Sequence, residues 1–339
     1  MHHFRTVCYA VMLSVVLSLC CAGCKGKSES ADTSAPAGKA TKGPETGNAS
    51  AEEKLRVALV MKTMSNPFFQ RMKDGAQKKA DELGVGLMVV TPARETDIDE
   101  QANKVRDMIQ SKVDAILIAP AGSKEIVPVL VEAKEAGIIV INLDNRVDAE
   151  AAREAGLELD SYVGADNEEG GLMAGEYLVK LLAGKGTVTM LEGIPSADNA
   201  IARRKGFERA LMGQTGMVVL KPFQSAHWDQ EEAYNIMTNL LQTHSEITGL
   251  FCANDMMALG AMRAIDDAGK TGKITVVSYD NLPEVRDALK SGALAATVEQ
   301  NPERMGSVGV EFAVKLKKGG EVEKEYLVPL ELAKGERAE

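Results

Sequence analysis

The sequence predicts an α/β protein built as two doubly wound lobes, each around a parallel sheet. Short apolar runs rich in β-formers alternate with segments of helical periodicity, and this alternation runs through two consecutive series that meet near residues 162–164. At 339 residues the chain exceeds a typical single domain. Near-continuous apolar runs at 115–119 and 138–143 suit strands covered on both faces, as in a parallel sheet.

The first series opens with a strand over 55–61. A helix follows it, with Asn66 as cap, Pro67 in the first turn, Phe68, Met72, Ala76, Ala80 and Leu83 at helical spacing, and Gly84 as the stop. A strand over 86–90, a helix over 98–110, a strand over 115–119, a helix over 125–136 ended by Gly137 and a strand over 138–143 complete it. The second series predicts helices over 167–182, 199–212, 230–243 and 256–268. Strands over 187–191, 217–220, 249–252 and 274–278 alternate with them. Right-handed crossovers align the strands of each sheet, and ligands in such sheets sit beyond the strands' carboxyl ends. Two lobes facing each other across those ends make one interlobe cleft.

The first 53 residues read differently. Arg5 and an apolar run over 7–19 form a signal-peptide pattern, too short for the roughly 20 residues of a spanning helix. Cys21-Ala22-Gly23-Cys24 resembles the bacterial lipobox, with Cys21 where a leucine is usual, and makes Cys24 the expected lipidation site. The expected division is a signal peptide over 1–23 and a tether over 24–53, rich in small and polar residues that bury too little surface to order the chain.

A net charge of −10 argues against a nucleic-acid partner, whose phosphates demand clustered Lys and Arg. Four of the five cysteines lie in the first 24 residues, so Cys252 has no disulfide partner in the folded body and, in an apolar run, reads as a buried inert thiol. No phosphate loop, GxGxxG after the first strand, nucleophile elbow or HExxH is present, so neither catalytic residues nor a metal or cofactor is expected.

Polar residues gather at the expected strand ends: Lys62 and Asn66, Asp144 and Asn145, Asn254 and Asp255, and Asp280. Arg203 and Gln300 join them. Carboxylates, amides and a guanidinium match the hydroxyl rim of a sugar, and the flat rings of Phe68, Phe69 and Trp228 match its C–H faces. Structural roles compete with each assignment. Asn66 serves as a cap, Asp144 and Asp280 as turn residues, Trp228 as surface cover, and of two adjacent phenylalanines one faces elsewhere on a helix.

The blocks Val60-Met61-Lys62-Thr63-Met64-Ser65-Asn66-Pro67-Phe68-Phe69, Asn142-Leu143-Asp144, Gly164-Ala165-Asp166-Asn167 and Ala202-Arg203-Arg204-Lys205-Gly206-Phe207 resemble ribose- and allose-type periplasmic binding proteins. His227-Trp228-Asp229, Ala253-Asn254-Asp255-Met256-Met257-Ala258-Leu259-Gly260 and Ala295-Ala296-Thr297-Val298-Glu299-Gln300 continue the likeness in the same order. The resemblance implies a type I periplasmic binding protein fold with a three-strand hinge. The first lobe then spans 54–164 and 301–329, the second 165–300 and 330–339. Ligand contacts carried over are Asn66, Phe68, Phe69, Asp144, Arg203, Trp228, Asn254, Asp280 and Gln300, with Lys62 similar to the allose type. Ribose-type members carry Asn where this chain has Ala119, and Arg where it has Asn145, which favours a hexose such as allose; Arg146 could restore the guanidinium by a local shift.

The implied activity is capture of a monosaccharide by a monomeric, lipid-anchored protein in the periplasm or on the outer face of the cell membrane. An ABC transporter permease is the implied partner. A chemoreceptor or sensor kinase is the alternative, and a sugar-processing enzyme the remote one.

Overall fold

The computed structural model describes residues 54–335, so the expected signal peptide, Cys24 and the expected tether lie outside the described residues. The chain runs β1 (Arg56–Val60), α1 (Pro67–Leu83), β2 (Gly86–Val90), α2 (Ile98–Gln110), β3 (Ala115–Ile118), α3 (Val127–Glu135), β4 (Ile139–Leu143), α4 (Ala149–Glu154) and β5 (Ser161–Gly164). It continues through α5 (Asn167–Leu181), β6 (Gly186–Glu192), α6 (Asp198–Leu211), β7 (Met217–Val219), β8 (Gln224–Ser225), α7 (Gln230–Thr243), β9 (Ile247–Cys252) and α8 (Asp255–Asp267). Then come β10 (Thr275–Tyr279), α9 (Arg286–Ser291), β11 (Ala296–Glu299), α10 (Pro302–Lys317), β12 (Glu325–Leu327) and β13 (Glu331–Lys334). No helix among the described residues is long and apolar enough to cross a membrane.

Two sheets organise these elements into two α/β lobes. The first has strand order β12-β5-β4-β3-β1-β2, all parallel. The second has order β13-β11-β10-β9-β6-β7, with β8 also on β6; only β13 runs antiparallel, against β11. Strand β1 shows why the first sheet is buried on both faces. Val57 and Leu59 pack with Met72, Ala76 and Val308 on one side, while Ala58 and Val60 pack with Val105, Val127 and Leu130 on the other. The side-chain period of two sends alternate residues to opposite faces, and an apolar residue at every position covers both. Cys252 is buried in the second lobe's core, and burial pushes its thiol well up, as an inert structural cysteine requires.

The chain passes from one sheet's elements to the other's three times: between β5 and α5, between β11 and α10, and between β12 and β13. After the second passage α10 returns to lie along α1. A Cβ on Gly306 would stand 2.1 Å from the Met72 carbonyl oxygen, so only glycine permits that approach. Helices α5 and α6 meet the same way, with a Cβ on Gly171 reaching to 2.2 Å from the Arg203 carbonyl oxygen. That close packing fixes the height of Arg203 above the second sheet.

Both sheets reverse direction of winding beside their first strand, β1 between β3 and β2, and β6 between β9 and β7. Crevices open beyond the carboxyl ends of strands at such points. Lys62 follows β1, Asp144 follows β4, Asn254 follows β9, Asp280 follows β10 and Gln300 follows β11, so the sheet topology delivers all five to one region.

Candidate functional site

A cavity with about 230 Å³ of empty space lies among those strand ends, lined by Lys62, Asn66, Phe68, Phe69, Glu95, Asp144, Asn199, Arg203, Trp228, Asn254, Asp280 and Gln300. Ten of the residues that the sequence analysis named are brought together here. Asn145 is not among them.

Two charge clusters face the cavity. Lys62 Nζ lies 3.2 Å from Asp144 Oδ2, both side chains almost wholly shielded from solvent. Opposite, Arg203 Nη1 stands 3.8 Å from Asp280 Oδ1, which also accepts from Gln300 Nε2 at 2.6 Å. Burial pushes the Asp280 carboxyl well above the usual range, against the pull of Arg203 and the bond from Gln300. The guanidinium is aimed by three further contacts. Its Nε donates to Asn167 Oδ1 at 2.8 Å, its Nη1 donates to the Ala253 carbonyl at 2.7 Å, and its plane lies 3.7 Å from the Tyr279 ring centroid. Arginine, with a planar fork and a stackable face, is the residue that can satisfy all of them.

Aromatic walls stand between the clusters. Phe68 and Phe69 meet edge to face with centroids 5.1 Å apart. The expectation that one of the pair faces elsewhere is corrected, because both rings line the cavity. They occupy the first turn of α1, whose N-terminal end abuts the cavity, so two neighbouring side chains flank it. Trp228 lies with Lys62 Nζ 5.9 Å and Arg203 Cζ 5.5 Å from its ring, within cation–π range of both lobes' cations. Its backbone is at φ +68°, a left-handed conformation that an aromatic residue seldom adopts. Asp144 at φ +57° and Asp280 at φ +111° share this trait, so three cavity residues sit in strained backbone, a pattern typical of functional sites.

Helix starts supply the amides. Asn66 caps α1 through Oδ1, accepting from the Phe68 N–H at 3.0 Å, and its Nδ2 donates to Glu95 Oε1 at 2.9 Å. Asn254 caps α8, accepting from the Met257 N–H at 2.8 Å. The cap reading and the cavity reading of Asn66 hold together. Among the described residues, the buried side-chain polar atoms without a hydrogen-bond partner are Asn199 Oδ1, Trp228 Nε1, Tyr279 Oη and Gln300 Oε1. Three of those four belong to cavity residues, so these polar atoms are open to a partner that enters the cavity.

Three side chains named from sequence go elsewhere: Asp255, fully buried with its carboxylate accepting from Ser278, Thr297 and the Leu282 N–H, then Asn145 and Arg146. Asn145 is fully buried; its Nδ2 donates to the Pro120 carbonyl at 2.9 Å and to Ser123 Oγ at 3.2 Å, and its Oδ1 accepts from the Asn199 N–H at 3.1 Å. All its polar atoms are engaged by protein. Arg146 does not shift into the cavity either: its guanidinium lies 3.7 Å from the Tyr162 ring and pairs with Glu325.

Two cavity residues escaped the sequence reading. Glu95, half-buried, comes from the loop beyond β2, and burial raises its carboxyl, opposed chiefly by Lys62. It lies five residues past the end of β2, whereas Lys62 lies two past β1, so the strand-end rule did not reach it. Asn199 enters at the first turn of α6 and offered no signal beyond its place at a helix start.

The family description "Periplasmic binding protein domain" matches residues 57–321. A D-ribose/D-allose-binding protein of Pseudomonas aeruginosa is 39% identical over 293 residues, covering 84% of this chain and 90% of its own length. The D-allose-binding periplasmic protein of Escherichia coli is 35% identical over 277 residues, covering 81% of this chain and 87% of its own. A periplasmic solute-binding protein of an ABC transporter from Actinobacillus succinogenes, solved with bound D-allose, superposes with a TM-score of 0.80 at 36% identity, covering 84% of this chain and 99% of that one. These likenesses are to binding proteins and not to enzymes. Spanning both lobes and the cavity between them, the match establishes that the chain belongs to the periplasmic binding protein family, in its ribose- and allose-type sugar-binding branch.

Proposed function

We propose that the protein captures a monosaccharide in this cavity and presents it to the permease of an ABC importer, with an allose-like hexose bound in preference to ribose. The observation that carries the reading is the coincidence of two buried ion-paired clusters, three aromatic walls and three unpartnered polar atoms in one small space. Vicinal hydroxyls both donate and accept, so a sugar satisfies Asp144 and Asp280 as acceptors, Lys62 and Arg203 as donors, and the amides of Asn199 and Gln300. Relatives named for ribose, allose and both sugars support the class.

The hexose preference rests on Asn145, which is committed to protein partners where ribose-type members carry an arginine. Contacts from both lobes make closure and binding one event, because a ligand shifts the equilibrium only by its differential affinity for the closed state. The test is a thermal-shift screen of monosaccharides, amino acids and phosphate esters, followed by calorimetry. A neutral hexose should raise the melting temperature without being altered. Stabilisation by an amino acid and by no sugar would reject the proposal.

A further inference from the structure

Of the three carboxylates that line the cavity, two are ion-paired: Asp144 with Lys62, and Asp280 with Arg203. Glu95 makes no ion pair among the described residues. One of its oxygens accepts from Asn66 Nδ2 at 2.9 Å, and Asn66 is itself held by capping α1. The carboxylate is thus fixed in direction while one oxygen remains for another donor. Its place is distinctive too. Beyond the cavity lies a second, wider pocket lined in part by Ser65, Arg94, Thr96 and His227, and the residues common to both are Asn66, Glu95 and Trp228. Glu95 therefore stands at the throat, where space continues outward from an otherwise tight chamber.

We propose that Glu95 is a specificity residue whose free carboxylate oxygen accepts a hydrogen bond from the hydroxymethyl group of a hexopyranose, selecting hexoses over pentoses. This rests on the monosaccharide reading above. A ring substituent that a pentopyranose lacks needs room, and at the throat the chamber shares its lining with the wider pocket. There it meets an acceptor that is positioned by a helix cap and makes no direct ion pair among the described residues. A site built to bond a hydroxyl discriminates against the analogue without it, because the acceptor then loses that donor.

D-Ribopyranose, 6-deoxy-D-allopyranose and D-allopyranose share one ring configuration and differ only in bearing hydrogen, methyl or hydroxymethyl at the same carbon. Calorimetry of this series against the full-length protein, Glu95→Ala and Glu95→Gln reads the contact directly, with circular dichroism confirming that each variant is folded. The wild type should bind allose about tenfold or more tighter than 6-deoxyallose, the scale of a hydrogen bond to a charged group. Glu95→Ala should bring the two within about threefold, and Glu95→Gln, which keeps a neutral partner for the hydroxyl, should fall between. If Glu95→Ala does not fold, the Gln variant alone decides. An allose to 6-deoxyallose ratio unchanged by substitution, or near one in the wild type, overturns the assignment while leaving sugar capture intact. Failure of folded wild type to bind any of the three sugars overturns both.

Discussion

Asn145 Oδ1 accepts from the backbone N–H of Asn199 at 3.1 Å, and this bond ties the loop after β4 to the first turn of α6 across the two lobes. Beside it Ser123 Oγ accepts from the Asp198 N–H at 3.0 Å, so the N-terminal end of α6 is held at two adjacent amides. Neither bond involves a cavity-facing polar atom of Asn145 or Ser123. The pair forms a clasp between the lobes at the start of α6.

The first prediction follows. Asn145→Ala should lower the population of the closed form, and apparent affinity falls in proportion to that population. Loss of one neutral hydrogen bond sets the scale at about 2–10-fold weaker binding. Small-angle scattering should show the unliganded variant more expanded than the wild type. Identical scattering and identical affinity would remove the clasp from the mechanism.

Gly193 carries the second. A Cβ there would stand 2.0 Å from Trp228 Cζ2, so the indole rests directly on the Gly193 backbone. Gly193→Ala must displace the ring, at the roughly 1–3 kcal/mol typical of overpacking, and should weaken sugar binding by about fivefold or more. Trp228 is the chain's one tryptophan, so its fluorescence reports on the cavity without interference. Ligand should change the wild-type emission; a variant with unchanged emission and unchanged affinity would show that the ring can move without consequence.

The Lys62–Asp144 pair carries the third. Asp144→Ala should weaken sugar binding by about 1.5–3 kcal/mol, and should also destabilise the fold by about 3–5 kcal/mol by leaving a buried ammonium unpaired. Combining Lys62→Met with Asp144→Leu should recover most of the stability and none of the binding. Denaturant unfolding and calorimetry on the same variants separate the two effects. Full binding by the double variant would place recognition elsewhere.

Much of this was legible beforehand, for identifiable reasons. The apolar run at β3 and the cap, proline and glycine signals at α1 are local, and both elements stand where those signals set them. Strands β12 and β13 gave no such sign. They are short, with mostly exposed or half-buried residues, and become strands only by pairing with β5 and β11, at long sequence separation. The site divides similarly. Asp144 and Asp280 follow strands that read clearly, whereas Glu95 sits five residues past β2 in a loop whose path only the fold reveals. Asn145 looked like a cavity residue because its neighbour is one; the left-handed backbone at Asp144 turns consecutive side chains in different directions.

A fourth prediction concerns pH. Burial raises the Asp255 carboxyl from 3.8 to about 7, although Ser278, Thr297 and the Leu282 N–H all donate to it. The folded state thus holds this proton more tightly than the unfolded chain. Its contribution to stability is complete below about pH 4 and is lost as pH rises through about 7. Asp255→Asn should flatten the decline in melting temperature between those values. An equal slope in both proteins would show that Asp255 does not titrate in that window.

The fifth concerns the leader. We propose that Cys24 carries a lipid, and Cys24→Ser should release the protein from membranes or leave it unprocessed. Fractionation that finds the variant normally cleaved and still membrane-bound would reject the anchor.

The return of α10 to α1 has a consequence for biogenesis. Met305, Val308, Val310, Ala313 and Val328 are part of the same apolar cluster as Val57, Leu59 and Met72, so the first half of the chain emerges from the ribosome without the side chains that close its core. Residues 165–300, which build most of the second sheet, intervene before those side chains are made. Until then the first lobe's core has an open apolar flank, and it can close only after the second lobe's residues have been made.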